Sequence, residues 1–278
     1  MPQKNECPIC MQLTGESIHT YNQKPDGETE FQLKEGSSYH REIFLCSTCG
    51  HFRSYHNMII EAIYESNYVD STYGGLDGIR SNYKRIMALD PKDSDNSGRI
   101  NRVIKFAQNH FSDRTSALRI LDIGSGLGVF LGKIIQFTDW QCTAIETDPR
   151  FASHMSENLG IETITSDYLK LNWDRKFDII TLNKVLEHVE RPGEMLKKCA
   201  SNLAPNGFIY LELPDGESAA SDEEGFQREE FFIEHFHIFS MTSIALLNGK
   251  TGLKSISLER IQEPSTKYTL RSFLIHGG

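Results

Sequence analysis

From Ala117 onward the apolar residues fall into two alternating rhythms. "LRILDIG" (118–124), "CTAIETD" (142–148), "IETITSD" (161–167), "FDIITLN" (177–183) and "GFIYLELPD" (207–215) are short apolar runs closed by turn or acidic residues. Each reads as a strand. Between them lie "FLGKIIQF" (130–137), "PRFASHMSENLG" (149–160) and "PGEMLKKCASNL" (192–203), whose apolar positions recur at helical spacing. Pro192 opens the last of these and Gly160 stops the middle one, as helix ends favour. A further helix, "MTSIALLNGKTG" (241–252), precedes two closing strands, "KSISLER" (254–260) and "YTLRSFLIHG" (268–277). Strand–helix alternation of this kind predicts an α/β fold, a doubly wound and mostly parallel seven-stranded sheet with helices on both faces. The last two strands are expected to form an antiparallel edge.

The chain ahead of this core lacks the alternation. Residues 1–56 are polar and turn-rich, with "KPDGE" and "KEGSS" as turn signals. Residues 57–116 read as a helical linker or cap, interrupted by the polar run "LDPKDSDNSGR" at 89–99 and carrying Tyr64, Tyr68, Tyr73 and Tyr83. The expected organisation is therefore a small lobe (1–56), a linker (57–116) and the core (117–278).

Composition narrows the partners. At 278 residues, with 38% hydrophobic and 24% charged positions, the chain has the balance of a soluble globular protein. No apolar run approaches the roughly 18 residues that span a bilayer, and "MPQKNECPIC" has no secretory core, so the cytoplasm is the expected compartment and no membrane partner is expected. The net charge of −9 opposes a polyanion, which disfavours nucleic acid and favours a small-molecule acceptor.

Cys7, Cys10, Cys46 and Cys49 form two CxxC knuckles, "CPIC" and "CSTCGH", with 35 residues between them. A CxxC turn delivers two thiolates to one ion, and tetrahedral zinc takes four. The alternative pairings, two disulfides or a redox couple, fit neither a cytosolic chain nor a thioredoxin-like context. A structural Zn2+ is expected, with His51 and His56 as nearby spare ligands. Cys142 and Cys199 stand alone among apolar neighbours and read as core.

The first predicted strand ends in "LDIGSGLG", where Gly124, Gly126 and Gly128 are spaced as GxGxG. In an open α/β sheet a ligand lies at the carboxyl ends of the strands, where strand order reverses. A dinucleotide fingerprint needs a small residue five places after its first glycine, but Val129 stands there. Asp122, directly before the loop, would also repel a pyrophosphate and suits a ligand carrying an ammonium group. Downstream, Glu146 ends the second strand, 24 residues after Asp122, where it can accept from ribose hydroxyls. Asp167 ends the third strand within reach of an adenine amino group, and Asn183 ends the fourth at the same crevice.

"LDIGSGLG", "AIETDP", "TSDYL" and "FDIITLNKVLEHVERPGEMLKK" together resemble the class I S-adenosylmethionine-dependent methyltransferases, over roughly residues 100–278. The resemblance implies a Rossmann-like methyltransferase core with S-adenosyl-L-methionine as cofactor. By the same resemblance Gly124 and Gly126 back the methionine portion, Glu146 grips the ribose and Asp167 reads the adenine.

A methyl acceptor hydroxyl needs a base, most often histidine. "FFIEHFHIFS" (231–240) follows the fifth strand of the core and returns over the crevice. It offers Glu234, His235 and His237 among four phenylalanines, and His188 in "LEHV" is a third imidazole just past the fourth strand. His235 is the first candidate base, ahead of His188 and His237; two histidines two apart point the same way only in an extended segment. "EHFHIFS", behind two CxxC knuckles, resembles methyltransferases acting on nucleotide-linked or surface-polysaccharide sugars. Its sugar C-methyltransferases carry a further carboxyl-terminal domain after the last strand; this sequence stops there, which favours O-methylation of a sugar-linked acceptor. Ribosomal or transfer RNA base methyltransferases with a zinc lobe are the alternative class, but "LNKVLEH" lacks their Asn-Pro-Pro-aromatic string. A docking role without catalysis would predict a ruined cofactor pocket, and these residues are intact.

Overall fold

Seven strands form the main sheet of the computed structural model, in the order β6-β5-β4-β7-β8-β11-β10. They are β4 (Arg119–Ile123), β5 (Gln141–Glu146), β6 (Glu162–Thr165), β7 (Phe177–Asn183), β8 (Leu203–Pro214), β10 (Leu253–Gln262) and β11 (Tyr268–His276). The structure describes residues 6–13, 15–29, 33, 38–56, 58, 75–112 and 117–277. Tyr64, Tyr68 and Tyr73 lie outside the described residues. Strands β4 to β8 are mutually parallel, and β11 and β10 close the sheet antiparallel. Strand order reverses at β4, which has β5 on one side and β7 on the other.

The two-residue period of the strands sorts the core into two layers. Leu121, Ile180, Leu182 and Leu211 pack with Leu196, Cys199, Ile244 and Leu247 of helices α5 (Pro192–Asn202) and α7 (Met241–Lys250). Ile120, Ile179, Phe208 and Phe273 face the other way, onto Ile100 and Val103 of α2 (Asp95–Phe111) and Leu131 and Ile134 of α3 (Val129–Phe137). The free thiol of Cys199 is fully buried in the first layer, and Cys142 packs beside the second.

Two departures from the sequence pattern have simple causes. The polar run at 89–99 is mostly a helix start: Ser94 accepts from Ser97 N at 3.2 Å and caps α2, so the helix begins inside the run. The segment after Pro149 widens from a short α-helix, α4 (Pro149–Ser153), into a π-turn over His154–Asn158 before Gly160, at φ 66°, ends it.

The amino-terminal lobe is built on β1 (Ser17–Tyr21), β2 (Arg41–Leu45) and β3 (Phe52–Tyr55), all antiparallel. Its fourth strand is β9 (His237–Ile238), which comes from the far end of the chain and pairs Phe52 with Ile238 and Arg53 with His237. Sequence reading gave no such strand: two residues are too few for a period to show. No described helix is long and apolar enough to cross a membrane.

Candidate active site

The carboxyl edge of the parallel strands is where apolar residues give way to polar ones. Asp122 lies opposite Thr181 in the pairing of β4 with β7, and Asn183 opposite Glu212 in that of β7 with β8. Asp122 is buried, and its Oδ1 accepts from Thr181 Oγ1 at 2.6 Å and from Asn183 Nδ2 at 2.9 Å. Burial pushes its carboxyl up to about 6, against the opposing bonds from Thr181, Ser125 and Asn183. Asn183 Oδ1 is buried with no hydrogen-bond partner.

The turn that follows β4 holds Gly124, Gly126 and Gly128 at φ 67°, 50° and 71°, a region costly for residues with a Cβ. At Gly124 a Cβ would also come within 2.9 Å of Val185 Cγ2, whereas at Gly126 it would face open space. Glu146 is tied to this loop: its Oε2 accepts from Gly126 N at 2.8 Å and its Oε1 from Thr147 N at 2.7 Å. Asp167 sits at the end of β6, half-exposed, and accepts from Leu169 N at 2.9 Å. The residues expected to hold a nucleoside thus line one strand edge. A glycine backbone open to approach, an unpartnered amide oxygen and strand-end carboxylates suit a ligand rich in donors, as S-adenosylmethionine is.

Beside them, β7 runs on into Lys184 at φ 60° and a 3₁₀ turn, Leu186–His188. Segment 231–237 folds over this turn: Phe236 N donates to Glu187 O at 2.8 Å, and His188 Nδ1 bonds Glu234 O at 2.9 Å. His235 Nδ1 bonds Glu230 O at 2.9 Å. A carbonyl only accepts, so both rings carry hydrogen on Nδ1 and, when neutral, present Nε2 as a base. Burial holds both imidazoles below the ordinary histidine range, His235 well below it. The two ring centroids are 4.9 Å apart.

His237 points elsewhere. Its Nδ1 meets His51 Nε2 at 3.0 Å inside the lobe interface, so this pair and the His188–His235 pair are separate. Glu187 and Lys184 are members of the site that sequence reading missed. Glu187 is fully buried, both its carboxylate oxygens lack a hydrogen-bond partner, and burial pushes it to about 7 against the pull of Lys184. Its only sequence signal was adjacency to His188. Glu187, His188 and His235 offer ligand atoms within 4.8 Å of one another, a set able to exchange protons or to hold a divalent cation.

The second cluster is the cysteine one. All four Sγ atoms lie within 4.8 Å of one another, with Cys7–Cys49 at 3.6 Å and Cys10–Cys46 at 3.4 Å. A tetrahedron with metal–sulfur bonds of about 2.3 Å places its sulfurs about 3.8 Å apart. The thiols are not disulfide-bonded, and the donor set fits one tetrahedral ion. His51 bonds His237 instead of joining them.

Strand order, glycine turn and strand-end acids together define a Rossmann-like class I methyltransferase fold. A family model described as a methyltransferase domain matches residues 79–258, and the chain belongs to that family. Among curated proteins, it is 34% identical over 100 residues to a ubiquinone biosynthesis O-methyltransferase of a Caulobacter species, covering 34% of this chain and 40% of that one. A protein of the same name from Glaesserella parasuis is 31% identical over 115 residues, covering 37% and 49%. The chain therefore spans less than half the length of these relatives. Among solved structures, magnesium protoporphyrin IX methyltransferase from Synechocystis with bound S-adenosylhomocysteine superposes with a TM-score of 0.55 at 15% identity, over 76% of this chain and 97% of that one. An N-methyltransferase from Bradyrhizobium japonicum, also with S-adenosylhomocysteine, gives 0.50 at 17% identity over 72% and 99%. At such identities the likeness is one of fold.

Proposed function

We propose that the protein is an S-adenosylmethionine-dependent methyltransferase that methylates a hydroxyl of a small, sugar-linked acceptor, with His235 as the base. One observation carries this reading: the segment after β8 brings His235 against His188 and the buried Glu187, next to the strand edge that bears Asp122, Glu146 and Asn183. The cofactor supplies a methyl group already activated for displacement. Gly126, open to approach, leaves room for its amino-acid end while Gly124 and Gly128 shape the turn behind it; Glu146 holds the ribose, Asp167 takes the adenine amino group, and Asp122 with Asn183 closes the crevice.

The work left to the protein is alignment, exclusion of water and removal of one proton. His235 Nε2 takes the acceptor's hydroxyl proton; the Glu230 carbonyl fixes the ring and stabilises the charge that appears on it. His188, oriented by Glu234 O, positions the acceptor oxygen. A second reading, methylation at a carbon, is favoured by the presence of Glu187 as a third proton-handling group, since abstraction beside a carbonyl needs a base and an acid together. In the lobe, Cys7, Cys10, Cys46 and Cys49 hold a structural Zn2+, and the acidic net charge supports a small acceptor over RNA.

The test is incubation with methyl-labelled cofactor and two acceptor pools, nucleotide sugars and total RNA. Label in the sugar pool is the expected result. Label in RNA alone overturns the acceptor class, and no cofactor binding by calorimetry overturns the reading entirely.

A further inference from the structure

The lobe contributes more to segment 226–240 than a packing surface. Tyr21 Oη donates to Phe226 O at 2.5 Å, and Ser54 N donates to Phe236 O at 3.2 Å. Ser240 Oγ donates to Cys49 O at 2.6 Å, tying the end of the segment to the second cysteine knuckle. Between these anchors lies a buried ion pair, Arg41 with Glu28 at 3.0 Å, both side chains fully excluded from solvent. A buried pair of this kind seldom stabilises a fold beyond what apolar side chains would. Its remaining bonds show where it acts. Arg41 Nη1 donates to Phe231 O at 2.5 Å, and Glu28 Oε2 accepts from Ile233 N at 2.8 Å. Tyr39 Oη donates to the other Glu28 oxygen at 2.7 Å, and Arg41 lies 4.0 Å above the Tyr21 ring.

The two peptide groups gripped in this way flank Phe232, whose carbonyl accepts from His235 N at 3.0 Å. The pair therefore fixes the turn that presents the His235 ring to Glu230 O. A charge pair reading one donor and one acceptor of the main chain sets the orientation of that turn, which apolar packing would leave free to rotate.

We infer that Glu28 and Arg41 are positioning residues for His235, acting through the main chain of Phe231 and Ile233. This rests on the proposed role of His235, but its test does not depend on methyl transfer. In the full chain, 15N-labelled at histidine, the wild-type His235 ring should show a protonated Nδ1 and a bare Nε2. Glu28→Ala should convert roughly half or more of that signal to the opposite tautomer or to an exchanging mixture. Cofactor affinity, measured on the same samples by calorimetry, should stay within about twofold because the Glu146 side of the crevice is untouched. Glu28→Gln keeps one acceptor oxygen but loses the charge, and should shift the ring in the same direction by less; it serves equally where the alanine variant melts the lobe. An unchanged His235 tautomer in a folded variant overturns the inference. Loss of cofactor binding in the wild type overturns the functional reading instead and leaves the tautomer result standing.

Discussion

The two halves of the crevice are built in different ways. On the nucleoside side, Asp122, the glycine turn, Glu146 and Asp167 come from one uninterrupted stretch of strand, turn and helix. Its distinctive contact, Gly126 N to Glu146 Oε2, spans 20 residues. On the side proposed for the acceptor His235 owes its place to residues far away in the chain, with Tyr21 and Glu28 each bonded across 205 residues and Arg41 across 190. The glycine turn meets Glu146 as soon as β4 and β5 pair, and β6 and β7, the next strands in the chain, add Asp167 and the partners of Asp122. The second exists only when both sheets are complete, so damage to a remote part of the lobe should reach the acceptor while sparing the nucleoside.

The most severe way to test that asymmetry is to remove the metal proposed for the lobe. Cys46→Ser should lower bound zinc from one ion per chain to a small fraction by elemental analysis. It should also unfold the lobe, since structural zinc contributes on the order of 10 kcal/mol to folding. Protease cleavage confined to residues 6–56 is the expected readout; a second ion, lost in His235→Ala, would reassign the histidines as ligands.

Next comes the charge cluster beneath the crevice. Glu212, fully buried, accepts from Arg99 Nε at 2.7 Å and pairs with Arg271 at 2.8 Å. Glu212→Ala strands Arg99 and leaves Arg271 with Glu263 alone, and should cost about 3–5 kcal/mol in urea unfolding. Burial pushes Glu212 up, but the two arginines overrule it and hold its carboxyl at about 2. Because that is below its unfolded value, its contribution is complete above about pH 4.5 and declines as pH falls from there toward 2. A wild-type acid transition in that window, absent from Glu212→Gln, is the expected signature.

His235→Ala should slow turnover by about 10²- to 10⁴-fold with little change in cofactor affinity, as followed by label transfer and calorimetry. Full activity would move the base to another residue. The smallest effect is expected on the nucleoside side itself. Glu146→Ala should weaken cofactor binding about tenfold, since a charge-assisted bond contributes about 1.5–3 kcal/mol. If that change instead altered acceptor turnover at saturating cofactor, the two halves would not be independent.

What could be read in the sequence follows the same division. The strands and helices of the core carry their own periods, and "LDIGSGLG" and "AIETD" place glycines and acids at strand ends, so sheet, turn and strand-end acids were legible together. The antiparallel edge was legible too, from two apolar runs with no helix between them. On the acceptor side the histidines could be named but not sorted. His235 and His237 lie only two residues apart, but His235 closes a turn onto Phe232 O and His237 lies in β9 beyond a bend, so one ring faces His188 and the other His51. Glu187 carries no mark of its burial, because nothing local reports that segment 231–237 will cover it. The Glu28–Arg41 pair was equally hidden: two ordinary charged residues in a polar, turn-rich region, given meaning only by the main chain they meet.

The strand that the core's chain lends to the lobe sheet bears on how freely this protein could be taken apart. With β9 lent to the amino-terminal sheet and the α7 cap residue Ser240 bound to Cys49 O, cutting after residue 56 would unmake part of both pieces. The excised core would surrender the partner of β9 and bare Ile238 and Gly216, against which Phe52 packs. Gene fusion or deletion at that junction would therefore not release two intact pieces. Lobe and core are built to fold as one unit.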